Sequence, residues 1–349
     1  MRRAFTLIEL LVALAIGTFV VAALYSLFTV QLRQFVYQDI QMEMHQSIRL
    51  GMDVLTRTGR AAGMGTNGLI YGALGTGGSE ANTLPAVISY DGTGPGGSDG
   101  ITIVSMDPAL VMYTNPDDLQ SCSSTSISFD ASRGGYASKL GDFVANEYLL
   151  CYDFGSPAGT RSLMWEITGV ASASGGSRDI AGGTGTYGDF AGTCPASDNR
   201  PIGMECSRAD VVTFYIDADD DDGVGAGSLA HPVLMMDLDF QSPDGDDIPV
   251  VDNVEDLQIE YCFRGDTCTA LDWADSVDTY TDSNTANDAD DIYMIRFTIV
   301  VRSAREDLTK SYVGDRLNVA NNVPAASTDH YYRQILSAEV AVRNLRGLN

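Results

Sequence analysis

The sequence predicts an α+β chain in which one very long N-terminal helix, membrane-spanning in its first half, packs its second half on a predominantly antiparallel β head. Three observations carry this. Residues 5–28 form an apolar run whose only charged member is Glu9. From there to about Ala62 the apolar residues recur at helical spacing. Beyond Ala62, short runs with strand-like alternation stand between turns rich in Gly, Asp and Asn.

The apolar run comes first. As a helix rising ~1.5 Å per residue, Phe5 to Phe28 spans roughly 36 Å, enough to cross a hydrocarbon core of about 30 Å. It follows a short basic leader, Met1 to Ala4, and the small-residue cleavage position lies at Ala4-Phe5, before the hydrophobic stretch instead of after it. A secretory signal has the opposite order, so this anchor would survive processing. Glu9 asks for a cation at its own depth, because a carboxylate inside a membrane span is costly. Cutting after Ala4 would create one, the α-amino group of Phe5. Within one helix that amine points away from Glu9; on a neighbouring subunit it can meet it.

The pattern then becomes amphipathic. Phe35, Ile40, Met44, Ile48, Met52 and Leu55 recur every three to five positions, with Arg33, Asp39, Glu43, Arg49, Asp53 and Arg57 mostly between them. The spacing predicts one continuous helix that leaves the membrane and lays one side on a globular head. Glycines between Gly59 and Gly65 end it. A helix from Phe5 to Ala62 would be roughly 87 Å long.

The head differs in kind. Up to Ala62 the chain has 6 basic and 4 acidic residues; the remainder has 15 and 43, a net charge of −28. A head so acidic, with its basic residues scattered, predicts no binding to nucleic acid. Gly63 to Gly100 reads as a long loop with one strand at Ala86–Tyr90. Strand-like runs follow at 101–106, 126–129, 147–154, 163–170, 210–217, 233–240, 257–264, 293–302 and 334–343. The alternation is clearest where Tyr293, Ile295, Phe297, Ile299 and Val301 share one face.

All six cysteines, Cys122, Cys151, Cys194, Cys206, Cys262 and Cys268, lie beyond the helix. An even number confined to the exported part suits disulfides in an oxidising compartment. Several connectivities are open; proximity suggests Cys122 with Cys151, Cys194 with Cys206 and Cys262 with Cys268. Without a CxxC pair and with three histidines, zinc or haem ligation is not expected, and no cofactor is required. The one candidate for a structural Ca²⁺ is the loop Asp217-Ala-Asp219-Asp-Asp221-Asp-Gly223, where alternate carboxylates could aim inward at a strand-to-loop corner. Asp244, Asp246 and Asp247, and Asp288, Asp290 and Asp291, are weaker clusters of the same kind. The GxSxG at Gly96–Gly100 and the two GxGxxG stretches at Gly63 and Gly183 lie in loops without the strand and helix that their chemistry needs. Arg264-Gly265-Asp266 reads as a turn between Cys262 and Cys268. No nucleophile, base and metal constellation points to an enzyme.

Ala4-Phe5-Thr6-Leu7-Ile8-Glu9 followed by an apolar helix resembles the leader of type IV prepilins and type II secretion pseudopilins. Val250–Phe263, Asp291–Ser303 and Tyr331–Asn344 resemble, in order and spacing, the C-terminal half of PilW-type minor pilins. The residue before the cut is Ala4 where the family usually has Gly, and no Pro occurs before Pro85, whereas many major pilins carry one within the helix. The resemblance implies a type IV pilin-like fold. It implies a leader at 1–4, a membrane and filament-core helix at 5–28, its amphipathic continuation at 29–62, and a periplasmic, then extracellular, head at 63–349 that is PilW-like from about 250. It implies cleavage between Ala4 and Phe5 by prepilin peptidase, N-methylation of Phe5, and docking through Glu9. Its implied partners are other minor and major pilins and the inner-membrane assembly platform. The chain would sit in the bacterial inner membrane, then in a pilus, where it would help initiate assembly, at the tip. The same leader also fits a minor pseudopilin of a type II secretion system, or a surface adhesin that borrows the pilin anchor.

Overall fold

The computed structural model describes residues 7–66, 69–71, 83–113, 126–130, 143, 147–153, 161–170, 177–182, 204–218, 231–238, 247–269, 272–277, 287–306, 317–323 and 329–342. Helix α1 runs without interruption from Leu7 to Ala61, about 82 Å at ~1.5 Å per residue. Its end is set by backbone chemistry. Gly63 and Gly65 adopt φ of 70° and 79°, the left-handed conformation that unwinds a helix and that glycine adopts without strain. The Gly63 amide then donates to the Val104 carbonyl at 3.0 Å and the Met106 amide to the Met64 carbonyl at 2.8 Å, so the chain passes from helix straight onto a strand.

Twelve strands form one sheet: β1 (Leu69–Tyr71), β2 (Thr83–Pro85), β3 (Val87–Tyr90), β4 (Gly100–Met106), β5 (Met112–Tyr113), β6 (Ser126–Asp130), β7 (Tyr148–Asp153), β8 (Arg161–Val170), β9 (Ser177–Gly182), β10 (Met204–Asp217), β11 (Val233–Asp237) and β12 (Ile248–Asp252). The spine of this sheet is β10. Along one edge it pairs with β4 and then β5, along the other with β7 and then β11, all antiparallel. The β1–β8 pairing is parallel. The second sheet is a three-stranded antiparallel meander of β13 (Val254–Phe263), β14 (Ile292–Arg302) and β15 (Arg333–Ala341).

Helix α1 packs on the meander, and the core lies between them. In the register, Ile259 faces Phe297 and Phe297 faces Ala338. Leu257, Ile259, Tyr261, Ile295, Phe297, Ile299 and Val340 join Met44, Ile48, Met52 and Leu55 of the helix in one buried cluster, which also takes in Ile101 and Ile103 of β4 and Phe214 and Ile216 of β10. The alternate residues of the meander are polar: Gln258, Thr298 and Ser337 stand in one row, Glu260, Arg296 and Glu339 in the next. Arg296 pairs with both glutamates, at 3.3 and 2.9 Å, and its guanidinium lies 3.8 Å from the centre of the Trp273 ring.

Three sequence expectations change. The disulfide of Cys151 is to Cys206, its direct cross-strand neighbour between β7 and β10, in place of Cys122 with Cys151 and Cys194 with Cys206. Strand pairing brings together residues that are 55 apart in sequence, which proximity along the chain cannot see. Cys262 is bonded to Cys268, the pair proximity suggested; Cys122 and Cys194 lie outside the described residues. The stretch read as one loop between Gly63 and Gly100 also contains β1 and β2, each three residues and too short for alternation to register. Strand β10 begins at Met204, six residues before its apolar run, because Glu205 and Ser207 are drawn in by pairing with β5 and β7.

Candidate functional site

The surface that stands out is the first half of α1. Its large apolar side chains from Leu7 to Val36 are all about half or more exposed, whereas Met44, Ile48, Met52 and Leu55 are buried. The whole stretch is long and apolar enough to cross a membrane. Its few polar side chains suit an apolar surrounding: the Thr18 hydroxyl donates to the Ala15 carbonyl at 2.9 Å and that of Thr29 to the Ser26 carbonyl at 2.8 Å. Backbone carbonyls thereby satisfy hydroxyls that lipid could not. Glu9 lies near the start of the described part of the helix. Ala4 and Phe5 lie outside the described residues.

Between the two halves is a polar collar. The rings of Tyr37 and Tyr332 meet edge to face, 5.3 Å apart. Gln334 Nε2 donates to Gln41 Oε1 at 2.8 Å and lies 3.3 Å from His45 Nε2. Between Tyr332 and Gln334, the alternation of β15 turns Arg333 to the opposite face. There its guanidinium makes a two-pronged bond to Glu255, at 2.5 and 2.9 Å, and another to Asp329, at 2.8 and 2.6 Å. Burial acts to lower the Arg333 pKa, but the two carboxylates outweigh it and raise it, so the cation is held charged. The strand that grips the helix is thus itself anchored by a buried ion network, of the kind that is strongly destabilising to break from one side. Nothing in the local sequence flags this network, because Glu255 and Arg333 come from strands at opposite edges of the meander.

The other candidate residues are dispersed. Asp217 ends β10 and is partly buried; Asp219 and Asp221 lie outside the described residues, as do Asp244 and Asp246. Asp247 immediately precedes β12. Asp291 pairs with Arg264 at 3.7 Å across the mouth of β13 and β14. Among the described residues no three His, Cys, Asp or Glu side chains are grouped to hold a metal. Arg264-Gly265-Asp266 forms the turn bridged by Cys262 and Cys268, with Gly265 at φ 102°. The pKa of Asp272 in the same loop is lowered by hydrogen bonds from the Thr267 and Thr269 hydroxyls and the Thr269 amide.

Two family models match the chain. Residues 1–25 match the prokaryotic N-terminal methylation motif, and residues 213–344 match the type IV pilus-assembly protein W family. The second match starts well before Val250, so it takes in the end of β10, β11 and β12 as well as the meander. No curated protein matches. Among solved structures, a type IV-like pilin from Thermus thermophilus is similar over 58% of this chain and 85% of its own, at 10% identity and a TM-score of 0.23.

Proposed function

We infer that this chain, a PilW-type minor pilin by its N-terminal methylation motif and its C-terminal assembly region, is made as a membrane-anchored precursor, cleaved after Ala4, and built with other pilins into the complex that starts a type IV pilus, at its tip. The observation that supports this reading is the unequal burial of α1. Its second half is buried by its own head, while its first half offers an all-round apolar surface that carries Glu9. Such a helix buries itself twice, first in lipid and then against the helices of other subunits.

Transfer between those surroundings conserves apolar burial, so the carboxylate becomes the discriminating group. In lipid an ionised Glu9 is unfavourable, with about 3 kcal/mol, the cost at the centre of a span, as the upper bound. In a filament it can meet the Phe5 amine of a neighbour, which offsets that cost and fixes the axial register. Extraction from the bilayer still requires work, which the inner-membrane assembly platform would supply. Co-expression with a prepilin peptidase, followed by mass spectrometry of the N-terminus, tests the processing step. A chain that begins at N-methylated Phe5 supports it, and a chain that still begins at Met1 overturns it. Ca²⁺ at Asp217, Asp219 and Asp221 is a separate proposal that rests on the spacing of carboxylates; calorimetric titration of the full chain with no heat at millimolar Ca²⁺ would remove it.

A further inference from the structure

Asp99 sits at the joint between the two sheets, one residue before β4, and faces the open edge of β13. Its amide donates to the Leu257 carbonyl at 2.8 Å. Its carboxylate accepts from the Ile259 amide through one oxygen and from the Gly92 amide through the other, both at 2.8 Å. One side chain therefore fastens the loop 91–99 to the meander. On the same edge Asp256 accepts from Gln258 Nε2 at 2.9 Å and from Asn322 Nδ2 at 3.0 Å. These two amides also donate to the carbonyls of Gly97, at 3.0 Å, and Gly96, at 3.2 Å. Asn321 Nδ2 completes the set with a 3.0 Å bond to Asp91. Loop 91–99, segment 317–323 and β13 are thus held together by carboxylates and side-chain amides.

Among the described residues no cation faces this joint. Asp91 and Asp256 are the charged groups that face Asp99, and both are carboxylates; Tyr261 lies beneath it, with its pKa raised by burial. Glu255 faces Asp256, but its charge is committed to Arg333. Asp99 and Asp256 are 3% and 6% exposed. Gln258 Oε1, on the same edge, is a buried acceptor that receives no hydrogen bond among the described residues.

We propose that Asp99 and Asp256 form a proton-operated clasp, which holds loop 91–99 and segment 317–323 tight against β13 in acid and loosens them as both carboxylates ionise. Burial pushes Asp99 up to about 7 and Asp256 up to about 6, against the hydrogen bonds that favour their charged forms. The sign follows from linkage. A carboxylate raised in the folded state contributes stability that is complete below its unfolded pKa, about 4, and is lost as pH rises through the folded value. The clasp is therefore tightest below about pH 4 and loosens between about 4 and 7. If opening returns Asp99 to an ordinary carboxylate pKa, its opening equilibrium rises on the order of tenfold from pH 6 to pH 8.

Hydrogen exchange of the full-length chain in detergent micelles, corrected for intrinsic rates at each pH, tests this at the Gly92 and Ile259 amides. The expected result is a protection loss of that order between pH 6 and 8, with the Val212 amide inside β10 unaffected. Asp99→Asn, which removes the group with the higher pKa, should flatten the dependence between pH 6 and 8, whereas Asp256→Asn should leave most of it in place. A carbon-13 titration of the wild-type carboxyl groups reads the same groups without a substitution, and two carboxyls should titrate between about pH 6 and 7. Flat protection at Gly92 and Ile259 from pH 5 to 8, or only carboxyls that titrate near 4, overturns the proposal.

Discussion

The two halves of α1 share one continuous helical backbone and opposite fates. In residues 44–61 the apolar positions Met44, Ile48, Met52 and Leu55 are buried by β14, β15 and the edge of the large sheet, with polar residues outward. In residues 7–36 apolar side chains point in every direction and none is buried. A stripe is the signature of a helix with one partner face, and apolar residues all round are the signature of a helix surrounded. The surroundings of the first half are not in this subunit, so substitutions there should be silent in the isolated protein and expressed in assembly. Substitutions in the second half should behave in the reverse way.

The strongest test of that contrast is Glu9→Gln. It should abolish or severely reduce incorporation into filaments, as scored by immunoblotting of sheared pili, while membrane insertion and the unfolding midpoint of the head stay as in the wild type. Unchanged incorporation would break the comparison, because the exposed half would then lack the one contact that sets it apart from a plain anchor. Leu55→Ala should do the opposite. Leu55 is fully buried, and truncating a core leucine costs about 2–5 kcal/mol. Chemical denaturation of the full chain in detergent should show that loss, and whatever assembly defect follows should track the amount of folded protein.

How legible this contrast was depended on the distance over which each feature is encoded. Periodicity is local, so the helix from Leu7 to Ala61, the change of pattern near Phe35 and the runs that became β4, β13, β14 and β15 could be read from neighbouring residues. Glu9 was legible for the same reason, as one charge in an apolar run. The pairing of Cys151 with Cys206 could not be read, because it depends on β10 lying beside β7. The Arg333–Glu255–Asp329 network and the Asp99–Asp256 joint were hidden likewise. Each of those residues looks like an ordinary surface charge, and only the meander register and the approach of β4 to β13 make them buried.

The helix glycines give a finer scale. A Cβ on Gly59 would lie 2.9 Å from Phe297 Cε2 and 3.2 Å from Cζ, and the ring is fully buried and cannot swing away. Gly59→Ala should therefore destabilise the head: overpacking of this kind costs about 1–3 kcal/mol, which outweighs the roughly 1 kcal/mol gained in helix propensity. One position away from steric trouble is Gly51, whose added Cβ would find Ile299, Val251 and Leu234 at 3.4 to 3.5 Å. That is ordinary contact, so Gly51→Ala should be neutral or stabilise the head by up to about 1 kcal/mol.

Gly17 is the last term of that series and the most sensitive to which half of the helix it occupies. Nothing in the subunit lies within 4 Å of a Cβ placed there, so Gly17→Ala cannot clash within its own chain. It should leave the head's denaturation midpoint within about 0.5 kcal/mol of wild type. Its helix-propensity gain falls in a segment that does not pack on the head, and it should not appear in the head's unfolding at all. Filament incorporation is then the informative measurement. If it too is unchanged, Gly17 faces lipid or a loosely packed groove. If incorporation falls while the midpoint holds, a neighbouring helix approaches Gly17 closely, since a missing Cβ is what allows two helix backbones to come together in an apolar medium. A fall in the midpoint itself would contradict the division of α1 into an outward and an inward half.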